Sequence, residues 1–183
     1  MVGRGSTAPG NATLTGHGQE THLQTIILLL GIGVFAAVAY SDIRTRRIPN
    51  KFIVAILALT AVRIALAGDP GSALYTLGAS VALFIATFLL FWRGLLGGGD
   101  VKLISATALL IGYHDLFALL FVMSISGALV AVAVLARNKF MLRPQAAPAA
   151  ALAETPARLT VPYGVAIAAA GVFTLFVQSF PLG

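Results

Sequence analysis

The chain has 183 residues, of which 58% are hydrophobic and only 10% are charged. A soluble domain of that composition could not cover its surface with polar groups, so a bilayer is the expected solvent. Cysteine is absent and the three histidines are scattered, which excludes disulfides, Cys-ligated zinc and thiol nucleophiles and suggests no metal-ligand cluster.

Residues 1–22, rich in Gly, Thr and small polar side chains, read as a flexible extracytoplasmic tail. Residues 23–183 read as one transmembrane domain. Within it, six apolar stretches run Leu23–Ser41, Phe52–Ala67, Ser72–Trp92, Val101–Gly112, Leu116–Ala136 and Val161–Gln178. Taken together they are of roughly the size that crosses about 30 Å of hydrocarbon as helix, the fourth being the shortest. The runs are continuous rather than alternating, which disfavours a β-barrel. The expected fold is therefore all-α, a polytopic membrane helix bundle of about six spans.

The net charge of +6 would suggest nucleic acid in a soluble protein. The placement of the charges points instead to membrane topology, with no nucleic-acid partner. Arg44, Arg46, Arg47, Lys51, Arg93, Lys102, Arg137, Lys139, Arg143 and Arg158 all follow the first, third or fifth stretch. They share one side, expected to be cytoplasmic, which puts both termini outside a plasma (inner) membrane. Arg4 and Arg63 fall toward the other side, where the long stem of Arg63 could snorkel. Tyr40, Tyr75, Trp92, Tyr113 and Tyr163 stand at stretch ends, as interfacial aromatics do.

Ala37-Val38-Ala39 has the look of a signal-peptidase site. No basic region precedes its apolar run, however, and cleavage would export the Arg44–Lys51 cluster. The connection 137–160, with Pro144 and Pro148 between basic ends, reads as a cytoplasmic linker touching anionic lipid. Ser124/Ala128, Gly127/Ala131 and Gly164/Ala168 repeat small residues at four-residue spacing, which permits close helix approach.

Of the six acidic residues, Glu20 lies in the tail, Glu154 in the linker, and Asp69 and Asp115 in short outer turns as caps or near-caps. Asp42 and Asp100 remain, each at the cytoplasmic end of its stretch. If Tyr113 marks the far interface, the helix back to Asp100 covers only about 20 Å, so Asp100 sits below the near surface. Gly97-Gly98-Gly99 precedes it, and such backbone must line protein or water.

Each aspartate alone has a plain structural reading: Asp42 as partner of Arg44 or Arg46, and Asp100 as N-cap of the fourth helix. Together, as ionisable groups at membrane depth, they are a functional-site candidate. Two neighbouring carboxylates share one proton, so one can activate a water while the other donates to a carbonyl oxygen. No cofactor is expected. A small ion- or proton-coupled transporter would also place acids between helices and is the alternative reading.

Three motifs carry a resemblance. They are Asp42 with Arg44 and Ile48-Pro49-Asn50, Gly97-Gly98-Gly99-Asp100 with Val101-Lys102-Leu103, and Pro162-Tyr163-Gly164 opening the last stretch. Together they resemble the type IV prepilin peptidase family of Gly-x-Gly-Asp intramembrane aspartic peptidases, and most closely its small members serving Flp or tight-adherence pili. The resemblance implies that Asp42 and Asp100 are catalytic. It gives supporting positions to Gly97, Gly99, Pro49, Asn50, Lys102, Pro162, Tyr163 and Gly164, and makes prepilins and membrane lipid the partners. It further implies removal of a short basic leader at the cytoplasmic face. Larger members also N-methylate the product and carry an early cysteine-rich segment; this chain has neither that segment nor any Cys, so methyl transfer is not expected. The oligomeric state is not legible in the sequence.

Overall fold

The computed structural model describes residues 12–141 and 163–179, with side chains for 25–137 and 163–179. They form six helices: α1 (Ala12–Thr45), α2 (Asn50–Ala67), α3 (Pro70–Trp92), α4 (Gly98–Ile111), α5 (Leu116–Met141) and α6 (Tyr163–Ser179). The fold is all-helical, as expected. Thr25–Thr45 of α1, all of α2 and α3, and Leu116–Arg137 of α5 are long and apolar enough to cross a membrane. Helix α6 has 17 residues and α4 only 14. Most of the expected linker, and Pro162, lie outside the described residues.

Helix starts and stops follow local chemistry. Asp69 caps α3 by accepting from Gly71 N–H at 3.0 Å, with Pro70 in the first turn. Gly68, at φ 62°, closes α2 in the left-handed conformation. Asn50, a residue type suited to capping a helix start, is instead the first helical residue of α2. Pro49, extended at φ −61° and ψ 138°, occupies the cap position with no side-chain hydrogen bond. Helix α1 begins at Ala12, inside the segment read as a tail, because adding residues to an existing helix costs far less than nucleating one.

Helix α1 buries Leu28, Gly31, Phe35, Val38 and Asp42. Their alternating spacing of three and four is that of a coiled-coil seam. The seam faces α6 at distances only glycine allows. A Cβ on Gly31 would lie 2.8 Å from Leu175 Cδ1, and one on Gly171 would lie 2.6 Å from Phe35 Cζ. With little hydrophobic drive between helices in lipid, close packing of small residues is what joins them. Gly171→Ala should therefore cost about 1–3 kcal/mol by overpacking, seen as a lower unfolding midpoint in detergent, and Phe35→Leu in the same chain should recover part of it.

Helix α4 is the centre of the bundle, packed against α2, α3, α5 and α6 and buried around most of its circumference. Helix α3 meets it with a polar seam of Thr76, Ser80 and Thr87, while exposing Leu74, Leu77, Phe84, Phe88 and Leu90. Ser80 Oγ donates to Ser105 O at 2.7 Å across that contact. Turning hydroxyls inward and hydrocarbon outward suits a lipid solvent. On α5, a Cβ at Gly127 would meet Ala166 at 3.9 Å, so the small residue there does sit against α6.

Arg63 departs from the snorkelling expectation. Its guanidinium is part-buried and donates to the Leu110 carbonyl at the end of α4, with Asp115 in electrostatic reach. Asp115 starts α5 through its backbone, accepting from Leu119 N–H at 2.9 Å, but its carboxylate receives the Gln178 amide at 2.6 Å.

Candidate active site

Asp42 occupies the last position of the α1 seam, which is why a carboxylate only 5% exposed points at α6 rather than at lipid. There it meets the first turn of α6. Val165 N–H donates to Asp42 Oδ2 at 3.2 Å, and the Gly164 N–H is also directed at the carboxylate. The free N–H groups of a helix start are donors in search of an acceptor, and they sit at the positive end of its dipole. Asp42 thus caps α6 from another helix. Gly164 makes this possible, since a Cβ there would stand 2.7 Å from Asp42 Oδ2.

Asp100 sits in the first turn of α4, third after the cap Gly97. It is therefore not the cap itself. Its carboxylate reaches back to the Gly97 N–H, the returning half of a capping box. A Cβ on Gly97 would lie 2.8 Å from Asp100 Oδ2. The glycine run also admits neighbours. A Cβ on Gly98 would be 3.3 Å from the Phe91 ring, and one on Gly99 would be 3.4 Å from Ile48 Cβ. Ile48 belongs to the turn after Asp42, so the Gly97–Gly99 segment and that turn close on each other.

The two carboxylates lie within electrostatic reach of each other. Each faces the N-terminal backbone of a helix: Asp42 accepts from Val165 N–H of α6, and the Asp100 carboxylate is directed at the Gly97 N–H at the start of α4. Arg46 adds a positive charge within reach of Asp42, whereas Arg44 donates to Tyr40 Oη at 2.8 Å. An acid pair framed by two helix starts can hold negative charge without a metal, and its members can differ in protonation.

Of the other expected positions, Gly97, Gly99 and Gly164 line this site and Pro49 lies in the turn above it, half-buried. Asn50 and Lys102 are exposed, and Tyr163, 40% exposed, is the first residue of α6. The main-chain donor Val165 was missed by sequence reasoning. Its only sequence signal was the glycine beside it at a helix start. An apolar groove of about 580 Å³ between α1 and α6, lined by Ala39 and Val165 among others, begins one turn from Asp42.

No curated protein and no solved structure matches the chain. A family model does, over residues 29–132, which include both aspartates, the Gly97–Gly99 run and helices α2 to α4 whole: the chain belongs to the type IV leader peptidase family.

Proposed function

We propose that the protein is a membrane aspartic endopeptidase that removes the leader of a Flp-type prepilin at the cytoplasmic face of the inner membrane, using Asp42 and Asp100. The observation that carries this reading is that the two carboxylates, drawn from separate helices and each facing a helix N-terminus, lie within electrostatic reach of each other. In the reaction, the ionised member takes a proton from water, whose oxygen attacks the scissile carbonyl. The protonated member donates to the carbonyl oxygen. Collapse of the tetrahedral gem-diol breaks the C–N bond, the first carboxyl passes its proton to the departing amine, and the second carboxylate takes one back from a gem-diol hydroxyl.

The charge asymmetry supports six spans with both termini outside and the site facing the cytoplasm. A domain from residue 23 onward then carries the chemistry, with 1–22 outside and 137–160 as the cytoplasmic linker. The apolar groove beside Asp42 offers hydrocarbon contact to the segment that follows the cleaved bond.

The test is co-expression with a Flp-type prepilin, followed by N-terminal sequencing of the product. A new terminus immediately before the apolar pilin helix is expected. A precursor left intact beside abundant membrane-inserted protein would overturn the substrate assignment.

A further inference from the structure

At the end of the bundle away from the aspartates, a second polar cluster is tied to the same two helices. Gln178, near the C-terminus of α6, donates through Nε2 to Ile111 O at 2.8 Å and to Asp115 Oδ2 at 2.6 Å. Arg63 of α2 donates to Leu110 O and feels the Asp115 charge. Leu110 and Ile111 are the last two residues of α4, whose terminal carbonyls have no acceptor duty inside their own helix. Tyr113 N–H, just beyond, reaches Thr76 Oγ1 at 3.4 Å. Gln178 uses both amide hydrogens and Arg63 brings a forked donor, so the two side chains hold the end of α4 from two different helices.

Helix α6 reaches both ends of the bundle. Its first turn holds Asp42 through Val165 N–H, and its last turn holds the C-terminus of α4 through Gln178. Helix α4 in turn carries Asp100 in its first turn. Between Asp100 and Ile111 the helix is a rod of about 16 Å, and between Val165 and Gln178 α6 is one of about 20 Å. Two stiff rods joined at one end fix the separation of what they carry at the other. Apart from the Ser80 Oγ to Ser105 O hydrogen bond from α3, the interface of α4 with its neighbours is apolar along most of its length, and apolar contact is non-directional. It resists sliding along the helix axis less than a hydrogen bond does.

We infer that Gln178 and Arg63 are positioning residues that set the axial register of α4 and thereby bring Asp100 to Asp42. The proposal rests on the peptidase reading for its consequence in catalysis, but its geometry can be tested without it.

A chain without cysteine allows a direct measurement. A Cβ at Gly99 would lie 3.4 Å from Ile48 Cβ, close to the ~3.5–4.5 Å that a disulfide needs. The pair Ile48→Cys/Gly99→Cys therefore reads the position of the α4 start against the turn after Asp42. Its rate of oxidation in membranes is compared with and without Gln178→Leu and Arg63→Met, each at matched membrane abundance. Processing of the prepilin is followed in parallel, with the native Ile48 and Gly99 in place.

Cross-linking slowed about tenfold by either clamp variant, together with kcat reduced about tenfold at unchanged KM, is the expected result, and Arg63→Lys should restore part of both. Unchanged cross-linking overturns the positioning role whatever happens to activity, as does a kcat within twofold of wild type. Should the wild-type protein process no prepilin at all, the cross-linking arm still decides the register while the peptidase reading falls separately.

Discussion

Asp42→Asn and Asp100→Asn should each reduce leader removal by about 10⁴-fold or more, roughly 5 kcal/mol of transition-state stabilisation. The amide has the shape of the carboxyl and keeps an oxygen for the helix-start donors, Val165 N–H at position 42 and Gly97 N–H at position 100. The fold is therefore retained. What the amide cannot do is accept a proton from water or hand one to a carbonyl oxygen. For a pair acting as one unit, as proposed, the double variant should be little worse than either single one. Time courses of precursor conversion at equal membrane abundance measure this. A variant within tenfold of wild type would assign its aspartate to structure alone.

Gly164→Ala is the sharper test of geometry, since it leaves both acids in place. The added methyl would stand 2.7 Å from Oδ2, 2.8 Å from Cγ and 3.0 Å from Cβ of Asp42. Either the carboxylate swings off its donors or α6 backs away from α1. A displacement near 1 Å in a positioned catalytic group costs on the order of 10²-fold, so kcat should fall by about that factor. Overpacking costs about 1–3 kcal/mol, offset by up to about 1 kcal/mol because alanine is the better helix former, so the loss of stability should be smaller than the loss of kcat. Detergent unfolding and a kcat and KM measurement on the same preparation separate the two. Wild-type kcat would mean that the carboxylate relocates without penalty.

The helices were legible because a membrane solvent writes them as long apolar runs, and five of the six expected starts lie within three residues of those observed. The exception, α1, continues into polar sequence that no hydropathy pattern marks. The aspartates were legible as rare charges at helix ends. Their surroundings were not, because what surrounds them is backbone. The donor to Asp42 is an N–H from a helix 123 residues away, and a main-chain amide has no letter of its own in a sequence.

Arg63 and Asp115 were read by their position near an interface, as snorkel and cap. A tertiary partner claimed the guanidinium instead, because the short α4 leaves carbonyls to be satisfied inside the bundle, while Asp115 does start α5 and gives only its carboxylate to Gln178. The inward hydroxyls of α3 escaped notice for a related reason, since three polar residues on an apolar helix look incidental until a neighbour gives them a side.

The seam of α1 bears on how the protein can vary. Leu28, Phe35 and Asp42 fall seven residues apart, and each residue added to a helix turns everything beyond it by about 100°. Side chains along the outward faces of α1 can be exchanged for any others that lipid accepts. Its length between Phe35 and Asp42 cannot change by a single residue without carrying the carboxylate from the start of α6 round toward the hydrocarbon. In this helix, lineages are free to differ in spelling but not in count.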